Sequence, residues 1–199
     1  MTRKARNGET EERAGDPPLP GDPSPAERIA RMIRVDHAGE YGAARIYAGQ
    51  LAVLDPGPRR RRARGVTAIR RMAEQEQRHL ESFERLIVER EVRPTVMQPL
   101  WHVAGFAMGA ATALLGERAA MACTVAVEEV IDAHYAAQAE ALGSAEPELR
   151  ALIEEYRADE QAHRDTALDH EAEKAPAYPL LSAAIKSGSR LAIWLSTRL

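Results

Sequence analysis

The 199-residue chain has the size of a single domain and is long enough to bury a substantial core. Apolar residues make up 45% but aromatics only 5%, with Ala, Leu, Arg and Glu abundant, which favours helices over sheets; the formal net charge of −3 gives no overall basic character for binding nucleic acid. The single cysteine, Cys123, excludes an intramolecular disulfide and fits a reducing compartment.

Residues 1–23 are charged and then proline-rich, with too little apolar surface to offset the entropy of ordering, so they are expected to form a disordered tail before a helical domain spanning 24–199. The tail has no hydrophobic signal-peptide core, and Glu9, Glu11, Glu12 and Asp16 argue against a transit peptide. Ser24-Pro25-Ala26-Glu27 predicts a capped helix start, and the helix runs to about Leu54, where Asp55-Pro-Gly-Pro58 stops it. Its stripe of Met32/Ile33, Ala43/Ala44, Tyr47 and Leu51/Leu54 includes a carboxylate, Glu40. Arg59 to Arg62 and Arg64 form a local basic cluster, read as a solvated loop or a lipid headgroup contact.

A second helix is predicted from roughly Ala63 to Arg90. Ile69, Met72, Phe83 and Leu86 mark its apolar stripe, and Glu76 and His79 fill two places in that stripe. From Pro94 to Gly116 no residue is charged. The segment approaches bilayer-spanning length, but a span there would place the flanking helices on opposite sides of a membrane. It is read instead as a hydrophobic crossover helix, packed on the bundle or lying in a membrane surface, with Gly105 and Gly109 as a face for close packing.

The next helix, Glu117 to Leu142, carries Met121, Val125, Asp132, Tyr135, Ala139 and Leu142 on one stripe. Glu128 falls on it, whereas Glu129 falls with Ala122, Ala126 and Glu140; Gly143 is the expected C-cap. Cys123 has small, apolar neighbours and no evident base, so it reads as a packing residue. A further helix from Pro147 to about Glu173 places Glu160 and His163 on a stripe with Leu149, Leu152, Tyr156 and Ala167. After Pro176 and Pro179, Leu180 to Leu199 reads as a cationic amphipathic helix.

Two helical hairpins thus each supply one Glu and one Glu-x-x-His on an apolar side. An ionised carboxylate alone in a core is so unfavourable that it must be protonated, ion-paired or metal-bound. Glu40, Glu76, His79, Glu128, Glu160 and His163 together match the ligand set of di-iron and di-manganese carboxylate bundles, in which four carboxylates balance two divalent cations. The competing reading makes them buried ion pairs and satisfied histidines of a structural bundle. His37, His102, His134 and His170 read as surface or packing histidines, with His134 and Tyr135 as candidates for a substrate pocket.

The segments RVDHAGEYGAARIYAGQ, RPTVMQPLWHVAGFAMGAATALLG, MACTVAVEEVIDAHY and APAYPLLSAAIKSGSRLAIWLSTRL closely resemble the demethoxyubiquinone hydroxylase family of ubiquinone biosynthesis, from about residue 28 to the C-terminus. The resemblance implies a ferritin-like four-helix bundle with a crossover helix and a C-terminal amphipathic helix. It puts two iron ions per chain on Glu40, Glu76, His79, Glu128, Glu160 and His163, favouring Glu128 over Glu129 as the stripe does. It further implies a monooxygenase that hydroxylates the ring of a polyprenyl demethoxyquinol with O2. Such a substrate lives in the bilayer, so the expected location is peripheral, at the cytoplasmic face of a bacterial inner membrane. Homo-oligomers or partner proteins of quinone biosynthesis are compatible with the exposed apolar segments. Two alternatives stand beside it: a ferritin-like ferroxidase or iron-handling protein, which has no need of a long charge-free helix, and a non-enzymatic membrane-associated scaffold.

Overall fold

The computed structural model describes residues 21–55 and 64–199. Residues 1–20 of the expected tail and Arg59 to Arg62 of the basic cluster lie outside the described residues. The helices are α1 (Pro25–Leu54), α2 (Arg64–Glu89), α3 (Gln98–Leu114), α4 (Glu117–Leu142), α5 (Pro147–Asp169) and α6 (Tyr178–Arg198), and a 3-10 turn spans Ala172–Lys174. No strand occurs among the described residues.

The local signals act as expected at the start of α1. Ser24 Oγ accepts from the Glu27 backbone N–H at 3.2 Å, while Glu27 Oε2 accepts from the Ser24 N–H at 2.7 Å. This reciprocal cap satisfies two donors that the first helical turn leaves unpaired. Two boundaries differ from expectation. The fifth helix ends at Asp169, because Glu171 adopts a left-handed φ of 60° and the chain re-forms as the 3-10 turn. The last helix begins at Tyr178, with Pro179 inside its first turn, where a missing N–H leaves no bond unmade.

Pairings across the interior set the topology. Glu40 lies by His79 and Asp55 pairs with Arg70, so α1 and α2 are antiparallel. Asp132 with Arg157 and Glu171 with Arg118 make α4 and α5 antiparallel. Asp36 with Gln138 and Gln50 with Thr124 set α1 antiparallel to α4. Two antiparallel hairpins thus face each other, as in a ferritin-like four-helix bundle, and α3 follows the first hairpin and precedes the second in the chain. Helix α4 is buried on every side from Ala119 to Glu128, with α1, α3, α5 and α6 packed around it.

Helix α3 runs parallel to α1 at unusually close range. A Cβ at Gly109 would collide with the Ile46 carbonyl, and one at Gly105 would lie 2.8 Å from the Gly42 carbonyl oxygen. The Gly-x-x-x-Gly face therefore does serve helix packing. The opposite side of α3 stays exposed, with Leu100, Val103, Phe106 and Leu114 facing out, and α6 exposes Leu191 and Trp194. Trp101 Nε1 donates to Ser196 Oγ at 2.9 Å and ties these two helices together. Among the described residues no helix is long and apolar enough to cross a membrane.

Candidate metal centre

Two apolar clusters occupy the bundle. One contains Phe83, Ile131, Ile153 and Tyr156; the other contains Tyr47, Met72, Met121, Val125 and Ala167. Between them lie Glu40 from α1, Glu76 and His79 from α2, Glu128 from α4, and Glu160 and His163 from α5, each no more than 2% exposed. All six sequence-predicted residues converge. Glu129, by contrast, turns outward to pair with Lys186 of α6.

His79 Nδ1 lies 3.2 Å from Glu160 Oε1 and 3.5 Å from Glu40 Oε2; His163 Nδ1 lies 3.0 Å from Glu76 Oε1 and 3.3 Å from Glu160 Oε2. Both inward-facing Nδ1 atoms lack a hydrogen bond, as do both oxygens of Glu76 and Glu160, Oε2 of Glu40 and Oε2 of Glu128. Orphaned donors and acceptors of this kind are strongly unfavourable in a water-free interior unless a cation fills the space between them. The atoms fall into two overlapping groups, Glu40–Glu76–His79–Glu160 and Glu76–Glu128–Glu160–His163, each within 4.8 Å. Glu76 and Glu160 belong to both. The donors are oxygen and imidazole nitrogen, a set suited to iron or manganese.

The outward atoms of the same groups are all held. The Tyr135 hydroxyl donates to Glu40 Oε1, and the Tyr47 hydroxyl donates to Glu128 Oε1 at 2.7 Å. His79 Nε2 meets Asp159 Oδ2 at 3.1 Å, and His163 Nε2 meets Gln75 Oε1 at 3.3 Å. With each Nε2–H engaged outward, each Nδ1 presents its lone pair inward once deprotonated.

Without metal, protons take up the charge. Burial, then the neighbouring carboxylates, pushes Glu76 and Glu128 well above the carboxylate range, and burial also raises Glu40. Burial opposes the charged form of His79 as well, yet contact with Glu160 and Glu40 outweighs it and raises the imidazole to about 12. Glu160 is held at about 2, because the imidazoles of His163 and His79, 3.3 and 3.2 Å from its oxygens, overcome its burial. The centre thus holds the charge it has by binding protons where cations fit.

The other candidates sit elsewhere. His134 Nε2 lies 3.2 Å from Asp36 Oδ1, which Gln138 also contacts at 2.8 Å. His102 pairs with Tyr41, and His170 lies 3.3 Å from Glu117. His37 is a buried packing histidine. Cys123 is fully buried, and burial pushes its thiol up to about 12, which leaves it inert. An apolar cavity of about 330 Å³ opens between α1, α3, α4 and α6, with Ile46, Trp101, Met108, Val127 and Ile131 in its wall. Neither His134 nor Tyr135 lines it. Its wall includes Gly39 and Val127, the chain neighbours of Glu40 and Glu128.

Tyr47, Tyr135, Gln75 and Asp159 also partner the centre, a role that the apolar stripes do not single out. The signal was present: a tyrosine follows Glu40 and Glu128 at the same spacing, and a hydrogen-bonding side chain precedes the Glu of both Glu-x-x-His motifs.

The two hairpins, aiming four carboxylates and two imidazoles into a sealed interior, define a ferritin-like carboxylate bundle. The sequence profile of the family described as ubiquinone biosynthesis protein COQ7 matches residues 27–196, and the chain belongs to that family. It is 56% identical over 180 residues to the 3-demethoxyubiquinol 3-hydroxylase of Rhodospirillum rubrum, covering 90% of this chain and 82% of the relative. It is also 53% identical over 178 residues to the human mitochondrial NADPH-dependent 3-demethoxyubiquinone 3-hydroxylase (86% and 78% covered). The 5-demethoxyubiquinone hydroxylase of Saccharomyces cerevisiae is 41% identical over 186 residues, with 86% and 78% covered.

Proposed function

We propose that this chain is a 3-demethoxyubiquinol 3-hydroxylase of ubiquinone biosynthesis, which adds a hydroxyl to the ring of a polyprenyl demethoxyquinol with O2. The observation that carries the reading is the set of unpartnered, inward-facing atoms of Glu40, Glu76, His79, Glu128, Glu160 and His163 in a family whose curated relatives are named for this reaction.

Glu40 and His79 would hold one iron, Glu128 and His163 the other, and Glu76 and Glu160 would reach both. When bound, a ferrous pair supplies two electrons for reductive activation of O2, one oxygen atom going to the ring and the other leaving as water with two protons. Tyr135 and Tyr47 orient the two outer carboxylates, while Asp159 and Gln75 fix the histidine tautomers. The apolar clusters above and below exclude water, so a reactive centre is shielded from side reactions.

The apolar cavity beside Glu40 and Glu128 fits a quinol ring and the first part of its tail. The exposed apolar sides of α3 and α6 border the cavity and would rest on the membrane that holds the substrate. For a bacterial chain that surface is the cytoplasmic face of the inner membrane. The helical domain comprises residues 24–199.

Anaerobic loading with Fe2+, followed by a short-chain demethoxyquinol and 18O2, tests this directly. Two irons per chain and one 18O atom in the product ring are expected. Iron oxidation with no change in the quinol would favour a ferroxidase; absence of tight iron would favour a scaffold.

A further inference from the structure

The hydrogen-bonded shell of the centre is nearly two-fold symmetric. Glu40 of α1 is held by Tyr135 of α4, and Glu128 of α4 is held by Tyr47 of α1. In each half the tyrosine follows the glutamate at the same spacing, so the two hairpins exchange equivalent hydroxyls. The residue before each Glu-x-x-His motif continues this exchange. Asp159 reaches from α5 to His79 of α2, and Gln75 reaches from α2 to His163 of α5.

Here the chemistry differs while the geometry matches. Asp159 offers His79 Nε2 a carboxylate oxygen at 3.1 Å; Gln75 offers His163 Nε2 a neutral amide oxygen at 3.3 Å. Both acceptors fix the same tautomer. Only the carboxylate also polarises the imidazole, which makes its Nδ1 a stronger donor to a cation.

We infer that Asp159 makes the two metal positions unequal, so that the ion held by Glu40 and His79 binds first and more tightly than the ion held by Glu128 and His163. The inference rests on the six-ligand assignment proposed above. Asp159 is a positioning residue, because it acts on the ion only through His79. Its side chain is 35% exposed, so solvent screens part of its charge. The expected effect therefore sits near tenfold, the low end of the ~10–100-fold range for such outer partners.

Stepwise calorimetric titration of the metal-free full-length protein with anaerobic Fe2+ tests it. Asp159→Asn keeps an acceptor oxygen and removes the charge; Gln75→Glu does the reverse on the other side. Asp159→Asn should weaken the first binding step about tenfold and leave the second unchanged. Gln75→Glu should leave the first and tighten the second about tenfold. The double variant exchanges the two environments and should restore the wild-type pair of affinities, which simple damage to the fold cannot do. Equal weakening of both steps by Asp159→Asn, no change in either step, or failure of the double variant to restore them would overturn the inference. A wild-type protein that binds no pair of ions would instead overturn the ligand assignment itself.

Discussion

Gly109→Ala is the substitution whose effect the packing fixes most sharply. Gly109 faces α1, and an added Cβ would lie 2.8 Å from the Ile46 carbonyl carbon and closer still to its oxygen. Ordinary contact begins near 3.4 Å, and the nearest obstacle is a helix carbonyl oxygen rather than a side-chain tip, so α3 must retreat from α1 by more than about one ångström. Overpacking against backbone by that much costs about 2–3 kcal/mol, the upper part of the usual range, and the better helix propensity of Ala returns about 1 kcal/mol. The net loss is about 1–2 kcal/mol. For a protein of this size that lowers the melting temperature by roughly 2–8 °C. Gly188→Ala is the matched control, because its Cβ would meet nothing within 4 Å and only the propensity gain of about 0.5–1 kcal/mol remains. Thermal unfolding followed by circular dichroism in one detergent should show Gly109→Ala melting earlier and Gly188→Ala slightly later than wild type. Gly109→Ala melting with or above wild type would refute the close α1–α3 packing.

Other expectations concern the centre and its surroundings. Glu160 belongs to both candidate ligand groups and Glu128 to one, so Glu160→Ala should abolish iron binding while Glu128→Ala retains about one iron per chain; equal retention would contradict the shared role. In the metal-free protein burial holds Glu76 and Glu128 protonated, and Glu160 and Glu40 outweigh burial to keep His79 charged up to about 12. Metal must displace these protons, so affinity should rise with pH. Calorimetry in buffers of different ionisation enthalpy should register net proton release, and uptake would contradict this charge assignment. Val103 and Leu191 are exposed on the apolar sides of α3 and α6. The pair Val103→Asp and Leu191→Asp should weaken sedimentation with anionic liposomes at least ~tenfold, since each apolar side chain contributes about 1.5–3 kcal/mol when buried. A wild-type protein that leaves liposomes unbound would rule out that docking face.

Much of the fold was legible because its signals are local. Ser24 and Glu27 form their reciprocal cap from adjacent positions, and α4 begins and ends where charge and Gly143 place it. The six inward polar residues stood out because helical periodicity puts them on apolar stripes, but periodicity also put Asp132, which pairs with Arg157, on the α4 stripe. The choice of Glu128 over Glu129 drew on the family resemblance as well, and Glu129 does face Lys186. What escaped the reading depends on neighbours from distant segments. Asp159 and Gln75 look like surface residues until α2 and α5 are set side by side. Asp36 is buried, and its partners His134 and Gln138 come from α4, about a hundred residues away in the chain. The end of α5 was missed for another reason: the left-handed backbone at Glu171 has no glycine to announce it.

The most direct test of the account is the quinone profile, by mass spectrometry, of a host whose own copy of this protein is replaced by the Glu76→Ala form. Glu76 has neither oxygen satisfied in the metal-free centre and belongs to both candidate ligand groups. Accumulation of a quinone lacking one methoxy group, with loss of mature ubiquinone, is expected. An unchanged profile, with the variant folded and expressed at the wild-type level, would contradict it.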